Sequence, residues 1–124
     1  VLNSKYIYGH KWNIGFCETT PEKLITQQSL SKIEWLKHPF KDRFFADPFV
    51  ISADETTIYI LAEELLFAEK KGRIVRLAVD KKRKCLIERE ITLELHSHLS
   101  YPVFSDGKPV IVYISCWSII LLTL

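Results

Sequence analysis

Apolar and polar residues alternate with a period of two along most of this chain, and the helical period is nearly absent. From Phe44 to Ile51 aromatic and β-branched residues dominate, a composition that suits a pleated, half-buried surface. The polar break Asp54-Glu55-Thr56 separates this run from a second, Thr57 to Glu64, and together they predict a hairpin. Lys70-Lys71-Gly72 signals the next turn, ahead of clean alternation from Arg73 to Val79. Asp80 to Lys84 turns the chain again, and Cys85 to Leu95 supplies the last of four consecutive extended segments. A further pair, Tyr101 to Phe104 and Pro109 to Ser115, is joined by Ser105-Asp106-Gly107-Lys108; Asp-Gly between apolar runs is a strong hairpin signal. Nearer the amino terminus, Tyr6 to Phe16 looks extended, and Thr20 is placed to cap a short helix starting at Pro21.

The fold class implied is all-β. Four antiparallel strands in sequence form a meander, the unit of a propeller blade. One such sheet leaves both faces uncovered and must stack on something else. With the second hairpin, the pattern predicts about two blades of a propeller behind an irregular amino-terminal strand region.

Length bounds this picture: 124 residues suffice for one core. Hydrophobic content of 48% with 26% charged residues is globular, and a net charge of +2 with both signs interspersed makes no strong field. Nucleic acid is not implied as a partner. The one basic run, Lys81-Lys82-Arg83-Lys84, sits between two extended segments and reads as a solvated turn. Cys17, Cys85 and Cys116 lie far apart with no C-x-x-C pair, which argues against zinc and for a reducing, cytoplasmic setting. His96 and His98 share strand parity but have no acidic or cysteine partner close in sequence, so no metal and no cofactor is expected. The start of the chain lacks a signal-peptide pattern. Val110 to Leu124 carries no charge; it is short of the about 20 residues of a spanning helix and reads first as buried strand, with membrane contact through a tail anchor as the alternative.

Chemistry concentrates in two motifs. In Phe45-Ala46-Asp47-Pro48-Phe49 the carboxylate is surrounded by apolar neighbours and must find hydrogen bonds or an opposite charge. Arg43 and His98 are the candidate partners. Pro48 removes a ladder donor, which puts Asp47 at a strand rim or bulge. A turn-capping role for Asp47 is the plainer alternative. In His98-Leu99-Ser100-Tyr101-Pro102, the imidazole and phenol can bind sugar hydroxyls, or His98 is an ordinary loop histidine. Glu63 and Glu64 end a strand, and since neighbours face opposite sides, one of them points inward and can pair with Asp47; Glu64 is taken as the substrate-side residue. No phosphate loop, nucleophile elbow or zincin helix occurs.

Taken together, Trp12-Asn13-Ile14-Gly15-Phe16, Phe45-Ala46-Asp47-Pro48-Phe49, Glu63-Glu64, Gly72-Arg73-Ile74 and His98-Leu99-Ser100-Tyr101-Pro102 resemble the amino-terminal domain of glucosamine inositolphosphorylceramide transferases and their bacterial relatives. The resemblance spans about residues 12 to 108. It implies a five-bladed β-propeller similar to glycoside hydrolases acting on arabinosides, xylosides and fructosides, and a link to polysaccharide and glycoconjugate synthesis. In those enzymes an Asp-Pro near the start of the first blade supplies the base or nucleophile, with a second Asp and an acidic Glu from later blades. Carried over, Asp47 takes the catalytic position, and His98 and Tyr101 line the central pocket; Arg43, beside Asp47, and Glu64 are the further candidate substrate-binding residues from the reading of the residues themselves.

The family continues past the second motif into a Pro-Glu motif and three further blades, and this chain does not. Residues 1–108 are therefore expected to be the propeller part and 109–124 a tail outside the family pattern, as in a truncated or frame-shifted copy. A saccharide or glycoconjugate is the expected ligand, bound without a complete catalytic set. Unclosed sheet edges predict self-association and marginal stability as a monomer. A non-catalytic interaction module or a small tail-anchored membrane protein is the alternative.

Overall fold

The structure, a computed structural model, describes residues 12–27, 32–105, 108–111 and 122–123. In chain order the elements are β1 (Gly15–Cys17), α1 (Pro21–Gln27), β2 (Ile33–Trp35), β3 (Arg43–Ala53), β4 (Thr57–Leu66), β5 (Lys71–Asp80), β6 (Leu86–Leu93), β7 (Pro102–Ser105), β8 (Lys108–Ile111) and β9 (Leu122–Thr123). Among the described residues the fold is all-β apart from the seven-residue helix, whose Lys23 amide is capped by Thr20 Oγ1 at 3.3 Å.

The centre is a four-stranded antiparallel sheet in the order β3-β4-β5-β6, the expected meander. Its turns have local causes. Asp54 Oδ1 accepts from the Thr56 and Thr57 amides at 2.8 and 2.7 Å, closing the β3–β4 hairpin. Asp80 Oδ1 accepts from the Lys82 and Arg83 amides at 3.0 and 2.7 Å, closing β5–β6. Both are Asx turns, in which a short carboxylate replaces a backbone acceptor. Asp80→Ala is expected to lower the melting temperature while Asp80→Asn retains most of it, which thermal denaturation of the two variants checks. Lys84 departs from the solvated-turn picture: it is buried, its Nζ is hydrogen-bonded to the Lys81 carbonyl, and it lies 5.3 Å from the Phe16 ring centroid.

Strand parity gives the sheet two distinct faces. On one, Phe45, Ile58, Ile60, Ala62, Val75, Leu77 and Val79 pack beneath Ile14, Phe16 and Leu36 of the amino-terminal segment. That segment is the small sheet β2-β1-β9, with β1 antiparallel to β2 and parallel to β9. Asn13 ties it down by donating to the Leu36 carbonyl and accepting from the Ile14 amide, both at 2.9 Å. Gly15 lies opposite Trp35, whose ring comes within 3.2 Å of where a Cβ would be, so the bare glycine is what the aromatic covers. On the other face Leu61 and Ile74 pack with Leu99, flanked by Phe49, Ile51 and Leu93.

β7 and β8 form the expected second hairpin. β8 starts at Lys108 and runs through the expected domain boundary. Most of the apolar tail, with Cys116, lies outside the described residues, as does the run Tyr6 to Lys11. Among the described residues no helix is long and apolar enough to cross a membrane.

Candidate functional site

β3 carries a bulge at Asp47-Pro48. Ala46 pairs with Glu63 and Phe49 with Leu61, so two residues of β3 stand against one of β4. The proline has no amide hydrogen for the ladder, and Asp47 absorbs the irregularity with a φ of 46°. Aspartate tolerates this left-handed region better than most residues. The bulge turns its carboxylate toward the sheet face that Glu63 occupies.

Glu63 is the centre of the site. Its side chain is buried, with 5% of the residue exposed. It shares a hydrogen bond with Asp47, and its Oε1 lies 3.1 Å from His98 Nε2. His98 Nδ1 accepts from the Gly72 amide at 2.9 Å, so in the neutral ring the proton belongs to Nε2 and points at Glu63. The Leu99 amide donates to the Gly72 carbonyl at 3.0 Å, and Leu99 fills the apolar cluster beside it. These contacts strap the His98–Tyr101 segment onto the sheet. Tyr101 is half-buried at its end with a φ of 51°. Of the four non-glycine residues with positive φ among the described residues, Asp47 and Tyr101 come from the two motifs. Strained backbone persists where its surroundings over-determine it, as binding sites do.

Burial pushes the Glu63 carboxyl up, and the hydrogen bond to Asp47 and its charge push further, to about 8. At neutral pH Glu63 is therefore an acid that can donate to the Asp47 carboxylate. Two carboxyl groups sharing one proton this closely differ from a separated acid and base.

Gly72 makes this packing possible. A Cβ there would stand 2.5 Å from the Leu99 carbonyl oxygen, 2.6 Å from Glu63 Oε1 and 2.9 Å from His98 Cε1. Its place in the sequence suggests a turn, but its work is to let backbone, carboxyl and imidazole approach one surface. Gly72→Ala is expected to cost about 1–3 kcal/mol as an overpacked site. It should also displace His98, read as a denaturation midpoint and as a shift of the His98 ring resonances.

Glu64 and Arg43, expected on the Asp47 side, lie on the opposite face. Glu64 is fully buried and receives Arg43 Nη1 at 3.1 Å, Arg73 Nε at 2.7 Å and Arg89 Nε at 2.6 Å, with Arg89 Nη2 as a further donor. Arg43 also pairs with Asp42 at 2.8 Å and lies over Phe40, 4.4 Å from the ring centroid. The reason is the two-residue period: once Glu63 faces Asp47, Glu64 faces the other way.

Of the expected pocket residues, the structure thus brings Asp47 and His98 to Glu63, sets Tyr101 at the end of the same strap, and separates Arg43 and Glu64 from them. Gly72 was not singled out as a site residue. The available signal was a glycine at a strand start immediately before alternation sets in, where close backbone approach is a standard cause. His96 is exposed, and among the described residues no group of three or more His, Cys, Asp or Glu side chains is arranged to hold a metal ion. In comparisons with known proteins, the chain matches no family model, no curated protein and no solved structure.

Proposed function

We propose that this chain is a saccharide-binding part of a β-propeller of the type linked to polysaccharide and glycoconjugate synthesis, and that it binds without turnover. The observation that carries the reading is the meeting of Asp47 and His98, from motifs about fifty residues apart, on one buried carboxyl, Glu63. In this reading β3–β6 is one blade of a five-bladed propeller and β7–β8 opens the next. Asp47 lies on the first strand of its blade, an edge strand of the sheet, as a residue facing a central pocket would. His98, with 41% of its side chain exposed, and the half-buried Tyr101 supply hydrogen-bonding groups and ring faces beside it.

Binding is favoured over hydrolysis because the carboxyl group beside Asp47 among the described residues, Glu63, is hydrogen-bonded to it. Glycoside hydrolysis keeps its two carboxyl groups about 5–9.5 Å apart, to admit a sugar carbon or a water between them. Glu63 therefore does not serve as the second catalytic carboxyl. Calorimetric titration with arabino-, xylo- and fructo-oligosaccharides tests the reading. The expected result is binding by wild type and a loss of at least about tenfold, or 1.4 kcal/mol, in Asp47→Ala. Equal binding by both proteins would remove Asp47 from the site.

A second reading, an interaction module, draws on β6. It is the other edge of the central sheet, and Ile87 and Ile91 on it are 60% and 41% exposed. Concentration-dependent sedimentation that Ile87→Lys abolishes would favour it.

A further inference from the structure

We infer that Glu63 is the positioning residue of the site: one buried carboxylic acid that accepts a proton bond from His98 and donates one to Asp47, and so sets the orientation of both. The inference deepens the saccharide-binding reading and rests on it for the identity of the ligand. It has its own grounds in geometry. Glu63 is too buried to meet a ligand itself, yet it contacts both residues that are open to one.

The hydrogen bonds run in one direction. The Gly72 amide donates to His98 Nδ1; that acceptor leaves the ring proton on Nε2, which donates to Glu63; and the Glu63 acid proton is donated to Asp47. Aligned donors of this kind polarise one another in a poorly solvated setting. The series ends at the partly exposed Asp47 side chain. A hydrogen-bond donor is the ligand group a carboxyl oxygen at that point fits. Hydroxyl hydrogens of a polyol fit.

The same arrangement makes the geometry dependent on one proton. The titratable groups against Glu63 are Asp47 from β3 and His98 from the segment before β7. On β5, Gly72 and Ile74 carry no charge, and Arg76, on the same face two residues on, is engaged by Glu90 and Glu88. The cations Arg43, Arg73 and Arg89 are engaged by Glu64 on the opposite face. With Glu63 ionised, two carboxylates stand in contact without a cation between them, and Asp47 has to move away.

Nitrogen-15 NMR of the His98 ring in the full chain tests this without a ligand. Wild type should show the Nε2–H tautomer. Glu63→Gln should keep it, since the amide oxygen accepts from His98 and the amide NH2 donates to Asp47. Glu63→Leu should keep that tautomer, which the Gly72 amide fixes, but shift the Nε2 and Nε2–H resonances by taking away their acceptor. For the oligosaccharide of the panel that binds wild type, affinity should fall about tenfold between about pH 6.5 and about pH 9, and Glu63→Gln should abolish that dependence. Unchanged Nε2 and Nε2–H resonances in a folded Glu63→Leu, or a pH dependence that survives in Glu63→Gln, would overturn the inference. Should Glu63→Leu not fold, wild type against Glu63→Gln decides by the pH response of the His98 ring. If no oligosaccharide binds, the functional reading fails while the ring signals still decide the positioning role.

Discussion

Glu64→Ala is expected to cost about 3–5 kcal/mol of folding free energy, the usual range for breaking a buried ion pair from one side. Three guanidiniums converge on this one carboxylate, and their side chains are only 12–19% exposed, so little solvent is at hand to replace it. Burial alone would push the Glu64 carboxyl up, but hydrogen bonds from Arg89, Arg73 and Arg43 together outweigh it and hold the group below its ordinary value. Removing it leaves Arg89 with no other charged partner among the described ion pairs and strips Arg43 and Arg73 back to the exposed Asp42 and the partly exposed Glu94. Against a total of about 5–15 kcal/mol for an ordinary domain, this is a large share. Glu64→Gln, which keeps two acceptor lone pairs but no charge, should fall between wild type and alanine. Urea denaturation with a constant slope provides the measurement. A loss under about 1 kcal/mol would mean that the cluster acts as a surface network, whose pairs contribute little.

The second large effect is a loss of stability with rising pH. In the unfolded chain the Glu63 carboxyl titrates near 4.5, and in the folded chain near 8. Between these values the folded state holds one proton more than the unfolded, so stability is fully present below about pH 4.5 as far as Glu63 is concerned and falls as pH rises through 8. The integrated loss is on the order of 5 kcal/mol. Glu64 contributes with the opposite sign: its lowered value gives stability that is present above the ordinary carboxyl range and is lost on acidification. The two together predict an optimum near the middle of the acid range, about pH 5, and a steady decline toward about pH 9. Glu63→Gln should remove the decline on the alkaline side and leave the acid limb in place. Denaturation midpoints of both proteins across that range measure the slopes. A wild-type profile that is flat between about pH 6 and about pH 9 would mean that Glu63 is ionised without penalty, and that its hydrogen bond to Asp47 is not held by a proton.

The two effects come from adjacent residues, and this is where the limit of sequence reading is clearest. Alternation requires Glu63 and Glu64 to face opposite sides of β4, but it does not say which side either takes. That choice depends on the register against β3, and the register turns on a bulge that puts Asp47 and Pro48 opposite a single residue of β4. The Asp-Pro pair announces a disturbed ladder through its missing donor. The phase of everything beyond it is a matter of pairing between strands.

Local chemistry explains what was legible. The hairpins at Asp54 and Asp80 are made by carboxylates bonding amides two and three residues on, interactions complete within one short stretch of chain. The helix start at Thr20 is of the same kind. β2 was not legible, because three residues ending in an exposed Trp35 carry no period of their own and are ordered by pairing with β1. Lys84, taken as part of a solvated turn, is buried because Phe16 of a distant strand lies against it.

By itself, then, the sequence determined an all-β chain with a four-stranded meander, its turns, and a carboxylate and a histidine each set near a proline, since all of these follow from side chains acting on their own or neighbouring backbone. Only the tertiary structure decided that Asp47 and His98 meet at Glu63, that Gly72 is the surface on which they meet, and that Glu64 belongs to three arginines on the other face. Each of these depends on which residues of separate strands stand opposite one another, and a one-residue change of register would send every one of those side chains to the wrong side of the sheet.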